Sequence, residues 1–218
     1  VFPKLRNLHS LALDCIQVSD KMCQAISRMT FLIELELNNC FILNLNFMMH
    51  LFDLEQLMLY DDGICNEFLG NLARNCLNLV SLYFHSPDND AISDIGLEYL
   101  EKLQRLEKLT IVGQRRISDY AFARFPQIRE LWCINCENVQ DRGLIRLLEI
   151  APKLSYLLLP GTKVTKALLV AANRITKVRQ NGITLRVVVD HSLIAEWTAE
   201  DQTSSLLSVE PDGNAVNE

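Results

Sequence analysis

No stretch of the 218-residue chain approaches the ~20 consecutive apolar residues a membrane helix needs, so a spanning segment and a membrane partner are excluded. Histidine is scarce. His9, His50, His85 and His191 stand alone, with no partner at metal-ligand spacing, so no metal is expected. There is no phosphate-cradling glycine loop, no G-x-S-x-G and no H-E-x-x-H. Adjacent basic residues occur only at Arg115-Arg116, which falls in a loop and reads as a solvated turn. Lys and Arg are absent after Arg186, whereas Asp190, Glu196, Glu200, Asp201, Glu210, Asp212 and Glu218 follow. The net charge is −6, which argues against nucleic acid as a partner. These absences leave no constellation for catalysis, and neither an enzyme nor a cofactor is expected.

What is present is ordinary for a globular protein: 49% hydrophobic and 22% charged residues. The seven cysteines are scattered in apolar frames and read as reduced, buried small hydrophobes. The single C-x-x-C, Cys133 to Cys136, lacks the second pair that a metal site requires and is assigned to the core. The chain begins at Val1 rather than Met and reads as a piece of a longer protein with an apolar N-terminal end.

The dominant signal is an internal repeat. Seven segments share the frame L-x-x-L-x-L, beginning at Leu8, Leu32, Leu54, Leu79, Leu106, Ile128 and Leu154. The spacings between them are 24, 22, 25, 27, 22 and 26 residues, within the range of leucine-rich repeats. The L-x-L portion alternates with period 2, which predicts a short strand with one buried face. No single repeat can cover its own leucines; stacking fuses them into one core. A second pattern lies between the strands: Val18-Ser19-Asp20, Ile92-Ser93-Asp94-Ile95-Gly96-Leu97, Ile117-Ser118-Asp119 and Val139-Gln140-Asp141-Arg142-Gly143-Leu144, with a weaker copy at Val164-Thr165-Lys166. An apolar anchor followed by Ser or Asp predicts a helix start capped by its own side chain. Leu97/Leu100/Leu103 and Leu144/Leu147/Leu148 then follow a helical period.

The fold class is therefore α/β: a leucine-rich-repeat solenoid or horseshoe, with parallel strands on the concave face and helices on the convex face. Residues 1–190 form this domain, with about seven to eight repeats; an eighth strand is expected near Ile183–Val187, its buried pair being either Ile183/Leu185 or Leu185/Val187. Residues 191–218 are expected to be an acidic, disordered tail. The stretch Phe41 to Phe52 fits the frame least well, because it lacks the Ser-Asp start.

The frame L-x-x-L-x-L-x-x-C, best matched at Leu32 to Cys40 and Ile128 to Cys136, together with I-S-D-x-G-L at Ile92 to Leu97, resembles the cysteine-containing subclass of leucine-rich repeats. That subclass is best known from F-box/leucine-rich-repeat proteins. The resemblance implies a substrate-recognition module of a ubiquitin ligase, docked to cullin–RING subunits through an upstream F-box, in the cytoplasm or nucleus. It equally admits a repeat adaptor, inhibitor or assembly factor without an F-box or ligase link, and no F-box occurs in this chain.

Partner-binding residues are expected at the outward strand positions, on the concave face. Asp14, Glu34 and Glu36 form an acidic patch there. Met58, Tyr60, Tyr83, His85, Trp132, Ile134, Tyr156 and Leu158 make the later strands aromatic and apolar. Tyr and Trp are frequent anchors of protein interfaces, so a protein substrate is the expected partner.

Overall fold

The computed structural model describes residues 7–42, 44–197 and 203–213. The chain forms two compact units, Val1–Lys108 and Leu109–Glu218. Each is a stack of strand–turn–helix repeats, the α/β leucine-rich-repeat architecture.

In the first unit the strands β1 (Ser10–Asp14), β3 (Glu34–Asn38), β5 (Gln56–Tyr60) and β6 (Ser81–His85) lie side by side in that order. They pair parallel and in register, leucine beside leucine: Leu11↔Leu35, Leu35↔Leu57, Leu57↔Leu82. A short second ladder, β2 (Gln17–Val18) with β4 (Phe41–Ile42), follows the turn. Helices α1 (Asp20–Ile26), α2 (Asn66–Asn75) and α3 (Asp94–Leu100) and a 3-10 helix at Leu45–His50 form the other layer. The stretch Phe41 to Phe52 thus contributes a two-residue strand and a tight turn, and Leu45, Phe47 and Met48 bury it.

In the second unit the strand order is β7 (Lys108–Val112), β8 (Glu130–Ile134), β9 (Tyr156–Leu158), β10 (Leu185–Val189) and β11 (Leu207–Pro211). A 3-10 helix at Asp119–Arg124 packs on α4 (Asp141–Ile150), and α4 packs on α5 (Lys166–Lys177). Among the described residues, no helix is long and apolar enough to cross a membrane.

The leucine frame is buried as its period requires. From Leu32 onward the first, fourth and sixth positions of each frame are at most 2% exposed. Leu8, Leu11 and Leu13 are only half-buried, as befits the first strand described. The eighth frame position holds the chain in a left-handed turn at Cys15, Asn39, Gly113, Asn135 and Gly161, with φ between 48° and 74°. Gly161 has a second reason to lack a side chain, because a Cβ there would meet Asn135 Oδ1 at 2.2 Å.

The ninth-position cysteines have a specific task. The Cys40 thiol lies 3.4 Å from both the Leu13 and the Asn38 carbonyl, and the Cys136 thiol lies 3.6 Å from the Ile134 carbonyl and 4.0 Å from that of Ile111. Each reaches the sixth frame position of the preceding repeat. A free thiol is small, apolar and a weak donor, which suits a dry position facing a strand-end carbonyl.

The Ser-Asp motif works differently from expectation. Ser19, Ser93, Ser118 and Gln140 make no side-chain hydrogen bond to their own helix; Thr165 alone among the motif residues does, accepting from the Ala167 N–H at 3.2 Å. The polar side chains instead bridge neighbouring repeats. Asp119 Oδ2 accepts from the Gly143 N–H at 2.5 Å, and Asp141 accepts from Thr165 N and Oγ1 at 2.8 and 2.6 Å. Asn66 and Ser93 bond each other twice, at 3.0 Å. Asp190 receives the Gly161 N–H at 3.0 Å. An acid placed on the first turn of the next helix satisfies orphan N–H groups and complements the helix dipole.

The C-terminal segment corrects the sequence expectation. Residues 191–218 are not simply a disordered tail: α6 (His191–Glu196) and β11 lie within them, and β11 adds a parallel strand beside β10. Without β11, β10 would present an unpaired edge. Ser204 is buried, its N–H donating to Asn173 Oδ1 at 2.8 Å, and Leu207 is 9% exposed. Residues 198–202 and 214–218 lie outside the described residues. Strand β10 also resolves the eighth-strand register: Leu185 and Val187 are the buried pair, and Arg186 points outward.

Candidate functional site

In each unit the outward strand positions form a patch. In the first unit, register aligns Ala12, Glu36, Met58 and Tyr83 in one row and Ser10, Glu34, Gln56 and Ser81 in the next. They line a groove of about 140 Å³. Side-chain bonds fix the acids across and along the strands. Gln56 Nε2 donates to Glu34 Oε1 at 3.1 Å, and Asn38 Nδ2 donates to Glu36 Oε1 at 2.5 Å. Asp14 is exposed at the end of β1. At the other end of the row, Tyr60 and His85 meet edge to face, with ring centroids 4.5 Å apart. Burial lowers the His85 pKa, so the ring is neutral at pH 7 and adds no positive charge. Burial, followed by the neighbouring Tyr60, raises the Tyr83 phenol. No Lys or Arg stands at an outward position of β1, β3, β5 or β6. The patch is therefore acidic with an apolar centre, and Met58, 37% exposed, is its most open large apolar side chain.

In the second unit the patch is an aromatic row. Trp132 and Tyr156 lie 5.5 Å apart between ring centroids, tilted by 40°. The Arg186 guanidinium sits 5.5 Å over the Tyr156 ring, and its Nε donates to Glu210 Oε2 at 2.9 Å. The Ser208 hydroxyl, and then Arg186, hold the Glu210 carboxyl below its usual range. Leu158 stands directly opposite Trp132 on the paired strand. Trp132, Ile134, Tyr156 and Leu158 are each half-buried rather than fully exposed. Pro160, also an outward frame position, is buried.

The expected residues thus divide in two. Asp14, Glu34, Glu36, Met58, Tyr60, Tyr83 and His85 belong to the first unit; Trp132, Ile134, Tyr156 and Leu158 belong to the second. Sequence reasoning missed Arg186 and Glu210. The alternation of Leu185 and Val187 would have placed Arg186 outward, but the acidic composition of the tail hid the Leu207/Val209 alternation that carries Glu210.

The cysteines offer no exposed reactive cluster. Cys133 and Cys136 are fully buried, and burial drives the Cys133 thiol well above its ordinary pKa. Burial pushes Cys76 up to about 12. Among the described residues, no group of three His, Cys, Asp or Glu side chains is placed to hold a metal ion. Only Cys15 and Cys65 are exposed. Native protein treated with a thiol reagent is expected to label first at these two, Cys15 the more slowly because its hydrogen bond to Asp14 raises the thiol pKa, and at all seven only after denaturation. Fast labelling of Cys133 or Cys136 would show that the repeat core opens.

No family model matches the chain. A curated protein, the mitochondrial ATP synthase subunit s of Pongo abelii, is 32% identical over 85 residues. That match covers 34% of this chain and 42% of the relative, so it spans less than half of that protein. Among solved structures, internalin C2 of Listeria monocytogenes superposes with a TM-score of 0.55 at 22% identity, over 75% of this chain and 66% of the other. Internalin F of the same organism gives a TM-score of 0.40 at 16% identity, over 88% of this chain and 72% of the other. The in-register parallel strands, the buried leucine frame and the likeness to internalin C2 agree on the fold: an α/β leucine-rich-repeat solenoid.

Proposed function

We propose that this chain is a non-catalytic protein-binding module and that its outward strand positions hold the partner. The observation that carries this reading is the pair of patches just described. Each sets apolar or aromatic side chains beside fixed charged groups on a rigid sheet, an arrangement that suits a protein interface.

Two finer roles follow from the sequence. In the first, the module is the substrate receptor of an F-box/leucine-rich-repeat ubiquitin ligase, positioning a protein for modification by cullin–RING subunits. In the second, it is an adaptor, inhibitor or assembly factor with no ligase link. The similarity to a protein named as a mitochondrial ATP synthase subunit favours the second, in which the module contributes to a multi-subunit complex. On that reading the compartment is mitochondrial, whereas the ligase reading puts it in the cytoplasm or nucleus.

Affinity capture with the full-length protein, followed by mass spectrometry, separates the two. Recovery of subunits of one membrane-bound complex, without cullin machinery, supports the assembly role. Recovery of a cullin adaptor with assorted other proteins supports the ligase role and overturns the assembly role.

A further inference from the structure

A second polar surface lies on the second unit, away from its strand face. The loop after β7 and the loop between β8 and α4 enclose a cleft of about 500 Å³. Its charged lining is dominated by Arg115, Arg116 and Arg142, with Tyr120, Asn138 and Gln140 between them. The acid in its wall, Asp119, is 3% exposed and committed to the Gly143 N–H at the start of α4.

The cleft is pre-organised. Asn138 Nδ2 donates to the Arg115 carbonyl at 2.6 Å and joins the two loops. The Arg142 guanidinium lies 5.7 Å over the Tyr120 ring, and Nη1 donates to the phenol oxygen at 3.3 Å. That contact uses one of five N–H donors and leaves a planar fork for an incoming anion. Tyr120 is 56% exposed and presents a large aromatic surface to the cleft.

We propose that this cleft binds an acidic, Asp/Glu-rich segment of a partner protein. Guanidinium groups pair bidentately with carboxylates, and side-chain amides and a phenol supply further hydrogen bonds. Nucleic acid is the poorer fit. It is a long polyanion, and a chain of net charge −6 with one arginine cleft neutralises few of its phosphates.

The test uses the full chain and a fluorescent ten-residue Glu/Asp peptide, with a Gln/Asn peptide of equal length as reference. The acidic peptide is expected to bind with an affinity that falls as salt rises. Arg142→Gln and Arg115→Gln are each expected to weaken it about tenfold, with an unchanged melting temperature, since both side chains are exposed. Trp132→Ala on the strand face should leave it unaltered, so failure here is distinguishable from failure of the strand-face reading. Equal binding of the two peptides overturns the proposal, as does indifference to both arginine substitutions. Tighter binding of a phosphoserine peptide or an oligonucleotide at the same arginines overturns the assignment to carboxylates.

Discussion

Gly143→Ala is expected to cost at least about 3 kcal/mol of stability, more than removal of most core methyl groups. A Cβ at this position would lie 2.0 Å from the backbone oxygen of Asp119 and 2.7 Å from the Tyr120 nitrogen. Neither is the end of a flexible side chain, so the clash cannot be relieved by a rotamer change. Two consecutive repeats would have to separate, and the Asp119–Gly143 hydrogen bond would lengthen with them. The measurement is the urea midpoint of the variant against wild type. Gly182→Ala is the control. It has a φ of 69° but nothing within 4 Å of the added carbon, so backbone strain alone should cost about 1 kcal/mol. If the two variants melt alike, close approach of the repeats is not what keeps position 143 free of a side chain.

Tyr83→Ala and Trp132→Ala are each expected to weaken capture of the partner by about 2 kcal/mol, roughly 30-fold. Stability should fall less, by about 1 to 2 kcal/mol, because both rings are half-buried on the sheet rather than in its core. Phe31→Ser offers the contrast. Phe31 is 55% exposed but lies in a turn outside the strands, so its loss should leave capture untouched. Calorimetric titration of each variant against the captured partner, beside a thermal melt, reads both effects. Unchanged affinity in Tyr83→Ala and Trp132→Ala would remove the strand face from the interface.

The repeat was legible because its signal is redundant. Leu35, Leu57, Leu82, Leu109, Leu131 and Leu157 occupy one register position, and a period of 22 to 27 residues cannot arise from composition alone. The outward residues followed directly from that register. The contacts that cross from one repeat to the next were not legible. Asp119 and Asp141 sit where a helix cap is expected, and only the spatial neighbour shows that each serves the following repeat. Exposure was overread for the same reason. Trp132 and Tyr156 are adjacent in space but far apart in sequence, so their mutual burial was invisible. The last strand was missed because Leu207 and Val209 are a brief alternation inside an acidic stretch, and composition outweighed pattern there.

The side chains that bridge repeats limit how a chain of this kind can change length. Asp119 depends on a backbone N–H twenty-four residues away, and Asp141 depends on Thr165 at the same separation. A duplication or loss of one whole module brings each acid a new recipient at the same offset. An excision that breaks a module strands one carboxylate without its recipient and one helix start without its acid. Such a protein tolerates changes in copy number far better than it tolerates small gaps near its helix starts, and its genealogy should consist of whole modules gained and lost.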